Sequence, residues 1–186
     1  VANPSFWVGC EDDVVGYKAC RANRVERVEE GINEWLKHFD EATRPQVVVI
    51  YSMKEVSSLG TNTQIIYLKV ERGNCDPPTA CYNWEYGSSP EIVFEIPSHI
   101  NSYYVAHEFG HALGRSHHDT PVDIYSIMSY NRPSSHVVPV DIDLVCEMHA
   151  ECPSHESTWC EGEFYDPCRC PSASFEEGEA RGINCQ

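Results

Sequence analysis

No stretch of this chain approaches the ~18 consecutive apolar residues of a membrane-spanning helix, and no hydrophobic signal-peptide region precedes its first regular patterns. Positive charge is scarce. Lys and Arg number 13 against 29 Asp and Glu, giving a formal net charge of −16. Phosphate recognition draws on clustered Lys and Arg, so no nucleic acid partner is expected. An acidic surface could favour basic peptides, and it also serves the solubility of a secreted chain. There is no Asn-x-Ser/Thr acceptor, Asn3 being followed by Pro4, and N-glycosylation is not expected. Internal repeats are absent. So is any Cys-x-x-Cys pair suited to a second zinc, and Cys168 and Cys170 stand too close together for an ordinary CxxC redox site. Ten cysteines without such pairs point to disulfides and an oxidising, extracellular compartment. The opening at Val1 reads as a mature or trimmed form. At 186 residues there is enough chain for one domain with a real core and a small appendage.

What is present is concentrated in eleven residues. His107-Glu108-Phe109-Gly110-His111-Ala112-Leu113-Gly114-Arg115-Ser116-His117 reads HExxHxxGxxH. On a helix, His107 and His111 lie one turn apart on one face, so two ring nitrogens can reach one ion about 2.0 Å away. Glu108 is offset from that face and can reach a water held by the metal without being a ligand, which suits a general base. Gly114 accounts for the third imidazole: a glycine can take φ > 0, end the helix and turn His117 back toward the ion. With 9 His and 11 Gly in the chain, a random sequence of this composition would carry the five fixed positions about once in ten thousand cases. Each histidine alone would be read as a surface or satisfied core residue; the coincidence of five positions favours one catalytic zinc ion, with the fourth position left to water.

Eleven residues beyond His117 lies Met128, at the centre of Ser126-Ile127-Met128-Ser129-Tyr130. Methionine is rare here, with three in the chain; a core packing role is its ordinary reading. Together the two segments resemble the metzincin clan of zinc endopeptidases, in which a Met-turn forms a hydrophobic floor beneath the metal-binding histidines. The resemblance implies that role for Met128. HEFGHALG, residues 107–114, is similar to matrixins and serralysins, whereas Met128-Ser129-Tyr130 is similar to serralysins and astacins, whose tyrosine two after the methionine is a further zinc ligand. Tyr130 would then bind zinc at rest and swing away to hydrogen-bond the tetrahedral intermediate; a plain structural tyrosine is the alternative. His118 and Asp119 depart from all three patterns and leave the subfamily open. Residues 102–130 carry the specific match, and the rest agrees in element order only.

Around the motif the patterning predicts an α/β (α+β) fold. Val25, Val28, Ile32, Trp35, Leu36 and Phe39 recur at three- and four-residue steps and predict an amphipathic helix over 21–39. Residues 46–51, 64–70 and 91–96 are β-branched or aromatic runs that predict strands, with less regular candidates at 6–8 and 80–86. Asn101 or Ser102 can cap the zinc helix. Ile142, Val145 and Met148 predict a final helix over 141–149. The metzincin resemblance implies a twisted, mostly parallel sheet with two helices, the Met-turn and a C-terminal helix. The catalytic domain is placed at 1–150. Residues 151–186 hold five cysteines and little apolar periodicity, which predicts a disulfide-stapled tail packed on it. Cys10 with Cys20 and Cys75 with Cys81 are plausible local pairs, although spacing alone does not fix connectivity.

The expected activity is secreted, zinc-dependent endoproteolysis by a monomer, with Glu108 as base and then acid and protein or peptide segments as substrates. Nothing in the sequence bears on structural calcium. The resemblance further implies an extended peptide pairing with an edge strand above the zinc, for which residues 80–86 are the candidate, and a pocket wall around 133–139. Two readings from other classes remain: a zinc-stabilised binding module without catalysis, which would not need Glu108, and an interaction protein acting through its tail, which is compatible with an active protease and would recruit a protein partner.

Overall fold

The computed structural model describes residues 1–2, 4–10, 14–39, 44–48, 50, 56, 64–76, 78–85, 88–117, 125–130, 133–138, 141–142 and 145. The expected tail, the boundary near residue 150, His118 and Asp119 lie outside these residues. The chain divides into two compact units, Val1–Lys37 with Pro45–Gly114, and His38–Arg44 with Arg115–Gln186.

The first unit is a mixed α/β structure of two helices and a three-stranded sheet. Helix α1 spans Val14–Leu36, β1 Tyr67–Val70, β2 Ala80–Asn83, β3 Glu91–Phe94 and α2 Ser102–Ala112. Helix α1 follows the predicted stripe, with Val28 and Trp35 fully buried and Arg27–Glu30 and Lys37–Glu34 pairs on its exposed side. It begins earlier than its apolar periodicity and stops at Leu36, which leaves Phe39 beyond it. The strand expected at 6–8 is instead part of a 3-10 turn over Pro4–Trp7. Proline suits the start of such a turn because the N–H it lacks would find no partner there. The turn buries Phe6 and Trp7 edge to face, 5.0 Å between ring centroids.

The sheet order is β1-β3-β2. Strand β3 pairs in parallel with β1 and antiparallel with β2, so the sheet is mixed where a mostly parallel one was expected. Ile92, Val93 and Phe94 of β3 are all buried, as befits a central strand. The described residues of the β-branched run 46–51 form no strand. The Ala2 N–H donates to the Ile50 carbonyl at 2.9 Å, which links this segment to the chain start. The core gathers Phe6, Val28, Leu68, Ile92, Phe94 and Val105 between the sheet and both helices.

Both local disulfides are formed, Cys10–Cys20 and Cys75–Cys81. The second closes the loop that feeds β2. The Glu95 carboxylate gathers the same loop by accepting from the backbone N–H groups of Gly73, Asn74 and Cys75 at 2.7, 2.9 and 2.8 Å. Those donors, Gly73 foremost, hold its carboxyl below the usual range. Gly73 has φ 81°, a left-handed conformation that suits glycine. Among the described residues no helix is long and apolar enough to cross a membrane.

Helices α1 and α2 meet at Gly31. A Cβ there would stand 2.6 Å from both the Ser102 carbonyl oxygen and the Val105 Cβ. Alanine normally improves a helix interior by about 1 kcal/mol over glycine. Here the obstacle is backbone, and overpacking costs about 1–3 kcal/mol, so Gly31→Ala is expected to lower stability despite its better propensity. Denaturant titration checks this; a more stable variant would mean that the helices part easily.

In the second unit the described residues include a buried turn, Ser126–Ser129, and helical backbone at Asp141, Ile142 and Val145, within the span predicted for the final helix. Ile127, Met128, Val137, Ile142 and Val145 are buried there.

Candidate metal centre

Helix α2 positions the first two imidazoles. Its start is fixed by Asn101, whose side-chain oxygen accepts the Tyr104 N–H at 2.9 Å, one of the two caps the sequence offered. Val105, Ala106 and Phe109 are buried against the core. One turn apart, His107 and His111 place their rings 5.1 Å apart at 88°. The helix ends at Ala112, and Gly114 takes φ 93° while its N–H returns to the His111 carbonyl at 2.9 Å. This left-handed residue is the turn that the motif required between His111 and His117.

One ligand nitrogen from each of His107, His111 and His117 can be chosen so that all lie within 4.8 Å of one another, a group that could hold a metal ion. Nitrogens about 2.0–2.1 Å from a single tetrahedral ion stand about 3.4 Å apart, a spacing that the 4.8 Å limit includes. All three donors are imidazoles, a set that suits zinc and other borderline metals better than calcium or magnesium. His107 is buried, His111 half-buried and His117 exposed.

Glu108 is buried beside the first ligand. Burial pushes its carboxyl up to about 8, against the opposing hydrogen bond from the Tyr82 backbone N–H. A cation nearby would favour the ionised form. Sequence reasoning chose Glu108 but not this link to β2, because strand phase is invisible in composition.

His117 and Tyr130 lie with ring centroids 3.9 Å apart and planes inclined by 34°. Tyr130 is 60% exposed. Met128 is fully buried in its turn. The turn is organised by Asp141, a residue that the sequence presented only as the start of a helix. Its carboxylate accepts from the Ser126 hydroxyl, from the Ile127 N–H at 3.3 Å and from the Val138 N–H at 3.0 Å. The Ser126 hydroxyl oxygen in turn accepts the Met128 N–H at 3.0 Å. Apolar neighbours Val140 and Ile142 were the only hint that this aspartate is buried.

No protein-family model, curated protein or solved structure matches this chain.

Proposed function

We propose that the protein is a secreted zinc endopeptidase of metzincin type, which hydrolyses peptide bonds in extended polypeptides. The observation that carries this reading is the grouping of His107, His111 and His117 with a buried carboxylate, Glu108, next to the first of them. A bound zinc ion would supply Lewis-acid polarisation of the scissile carbonyl and an acidified water. Glu108 takes a proton from the attacking water and delivers it to the leaving amine, so one carboxylate is base and then acid. Its place on α2 beside His107, and the Tyr82 N–H on its carboxylate, orient it for that transfer. Tyr130, stacked on His117, would supply a phenol donor for the developing oxyanion, and the metzincin resemblance gives Met128 the role of a hydrophobic floor to the site. Observed disulfides support an extracellular setting.

Metal analysis with a proteolysis assay tests the reading. The full chain should hold one zinc, and the zinc-loaded protein should cleave casein or a mixed peptide library and lose that activity to a chelator. His117→Ala should lose stoichiometric zinc while His118→Ala keeps it. Absence of cleavage by fully loaded protein would end the enzyme assignment and leave a zinc-stabilised binding module. For Tyr130→Phe, kcat should fall on the order of 10² to 10³ with little change in KM, as for loss of one oxyanion donor. Wild-type turnover there would leave Tyr130 a packing residue.

A further inference from the structure

The open edge of the sheet carries information about the substrate. Strand β2 is an edge strand, paired only with β3 among the described residues. The Glu95 N–H donates to the Thr79 carbonyl at 2.9 Å, which sets the phase of the antiparallel ladder. Hydrogen-bonded pairs alternate. In the observed register Cys81 and Asn83 therefore direct their backbone groups at β3, and Ala80 and Tyr82 direct theirs outward from the sheet. The outward Tyr82 N–H is the one that meets Glu108, so this edge runs past the catalytic carboxylate.

Trp84 follows directly, in the even-numbered series of Ala80 and Tyr82, both of which pack on the core. Of the three described tryptophans, Trp7 and Trp35 are buried, whereas Trp84 is 62% exposed. An indole left in water has an apolar face to offer. Charge decides what that face fits. Residues 80–114, which include the edge strand and the metal-binding helix, contain Glu85, Glu91, Glu95 and Glu108 but no lysine or arginine, in a chain of net charge −16. Lys69 of β1 already pairs with Glu91 at 2.6 Å, and Glu95 and Glu108 are buried, so the exposed negative charge nearest in sequence to the indole is Glu85. With the chain's net charge it favours a cation on the Trp face, a guanidinium best of all because it can stack flat. The chain already uses this pairing internally, where the Arg21 guanidinium lies 4.2 Å from the Trp7 ring centroid.

We infer that Trp84 is the floor of a subsite for a cationic side chain, arginine above all, on an extended peptide laid along the outer edge of β2. The inference rests on the endopeptidase reading and names its substrate class: segments bearing Arg or Lys a fixed step from the scissile bond. With the Tyr82 N–H engaged by Glu108, the outward Ala80 groups and the Tyr82 carbonyl are left to pair with the peptide backbone, and Trp84 reads one of its side chains.

The test is a peptide library on the zinc-loaded full chain, with each position varied among Arg, Lys, Leu, Phe and Ala. At one position Arg and Lys should raise kcat/KM. Trp84→Ala should reduce that advantage by about 5- to 30-fold, chiefly through KM, with Ala-bearing peptides changed less than about twofold and Trp84→Phe intermediate. Preference for uncharged residues at every position would overturn the inference, as would an equal loss on Arg and Ala peptides. If the wild type cleaves nothing, the endopeptidase reading fails on its own account. Binding then decides the subsite: the Arg peptide should bind the wild type more tightly than the Ala peptide, and Trp84→Ala should abolish the difference. No discrimination in the wild type would overturn it.

Discussion

Glu108→Gln is expected to keep one zinc per chain and the native fold while peptide hydrolysis falls by about 10² to 10⁴. The amide preserves the shape of the carboxylate and can still accept the Tyr82 N–H through its oxygen. It cannot take a proton from water. The candidate ligand nitrogens are those of His107, His111 and His117, so metal content should not follow activity. Paired metal analysis and progress curves on one peptide make the measurement. Full turnover by the variant would remove Glu108 from the reaction, and loss of zinc in step with activity would make it part of the metal's support.

Asp141→Ala carries the largest expected cost in stability. It leaves the Ser126 hydroxyl and the Ile127 and Val138 N–H groups without their acceptor in a site where Asp141, Ser126 and Ile127 are all buried. Each stranded buried donor costs about 1–3 kcal/mol, so the three together cost roughly 3 kcal/mol or more. The turn around Met128 should loosen first, because the Met128 N–H depends on a Ser126 hydroxyl that Asp141 orients. Denaturant titration gives the loss, and hydrogen exchange at Ile127 and Met128 gives its place. A loss below about 1 kcal/mol, with protection at Met128 unchanged, would show that the turn holds itself.

Much of this architecture was legible in the sequence because it rests on periodicity and a few obligatory residue types. The stripe Val28, Ile32, Trp35 found α1, and the spacing of His107, His111, Gly114 and His117 found the helix, its end and the left-handed turn. Polar contacts between distant segments were not legible. Asp141 to Ser126, Glu95 to Gly73 and Tyr82 to Glu108 depend on which backbone groups a fold leaves unpaired, and no local pattern records that. The β-branched run 46–51 misled for a related reason: strand propensity describes fit to a half-buried pleated surface, and Val48 is 73% exposed. Pro4–Trp7 misled because aromatic residues serve a buried turn as readily as a strand.

One contact has a mechanical meaning. The Trp35 indole N–H donates to the Ala106 carbonyl at 2.7 Å, one residue ahead of the first histidine. Two helices packed only through aliphatic side chains can slip, and a slip of one residue rotates a helix by about 100°. That rotation would swing His107 and His111 off their common bearing. A directional bond at one carbonyl, on a tryptophan with no exposed surface, acts as a pawl against it. The orientation of the two imidazoles is thus set from across the core, by a side chain on another helix, 71 residues before the carbonyl it holds.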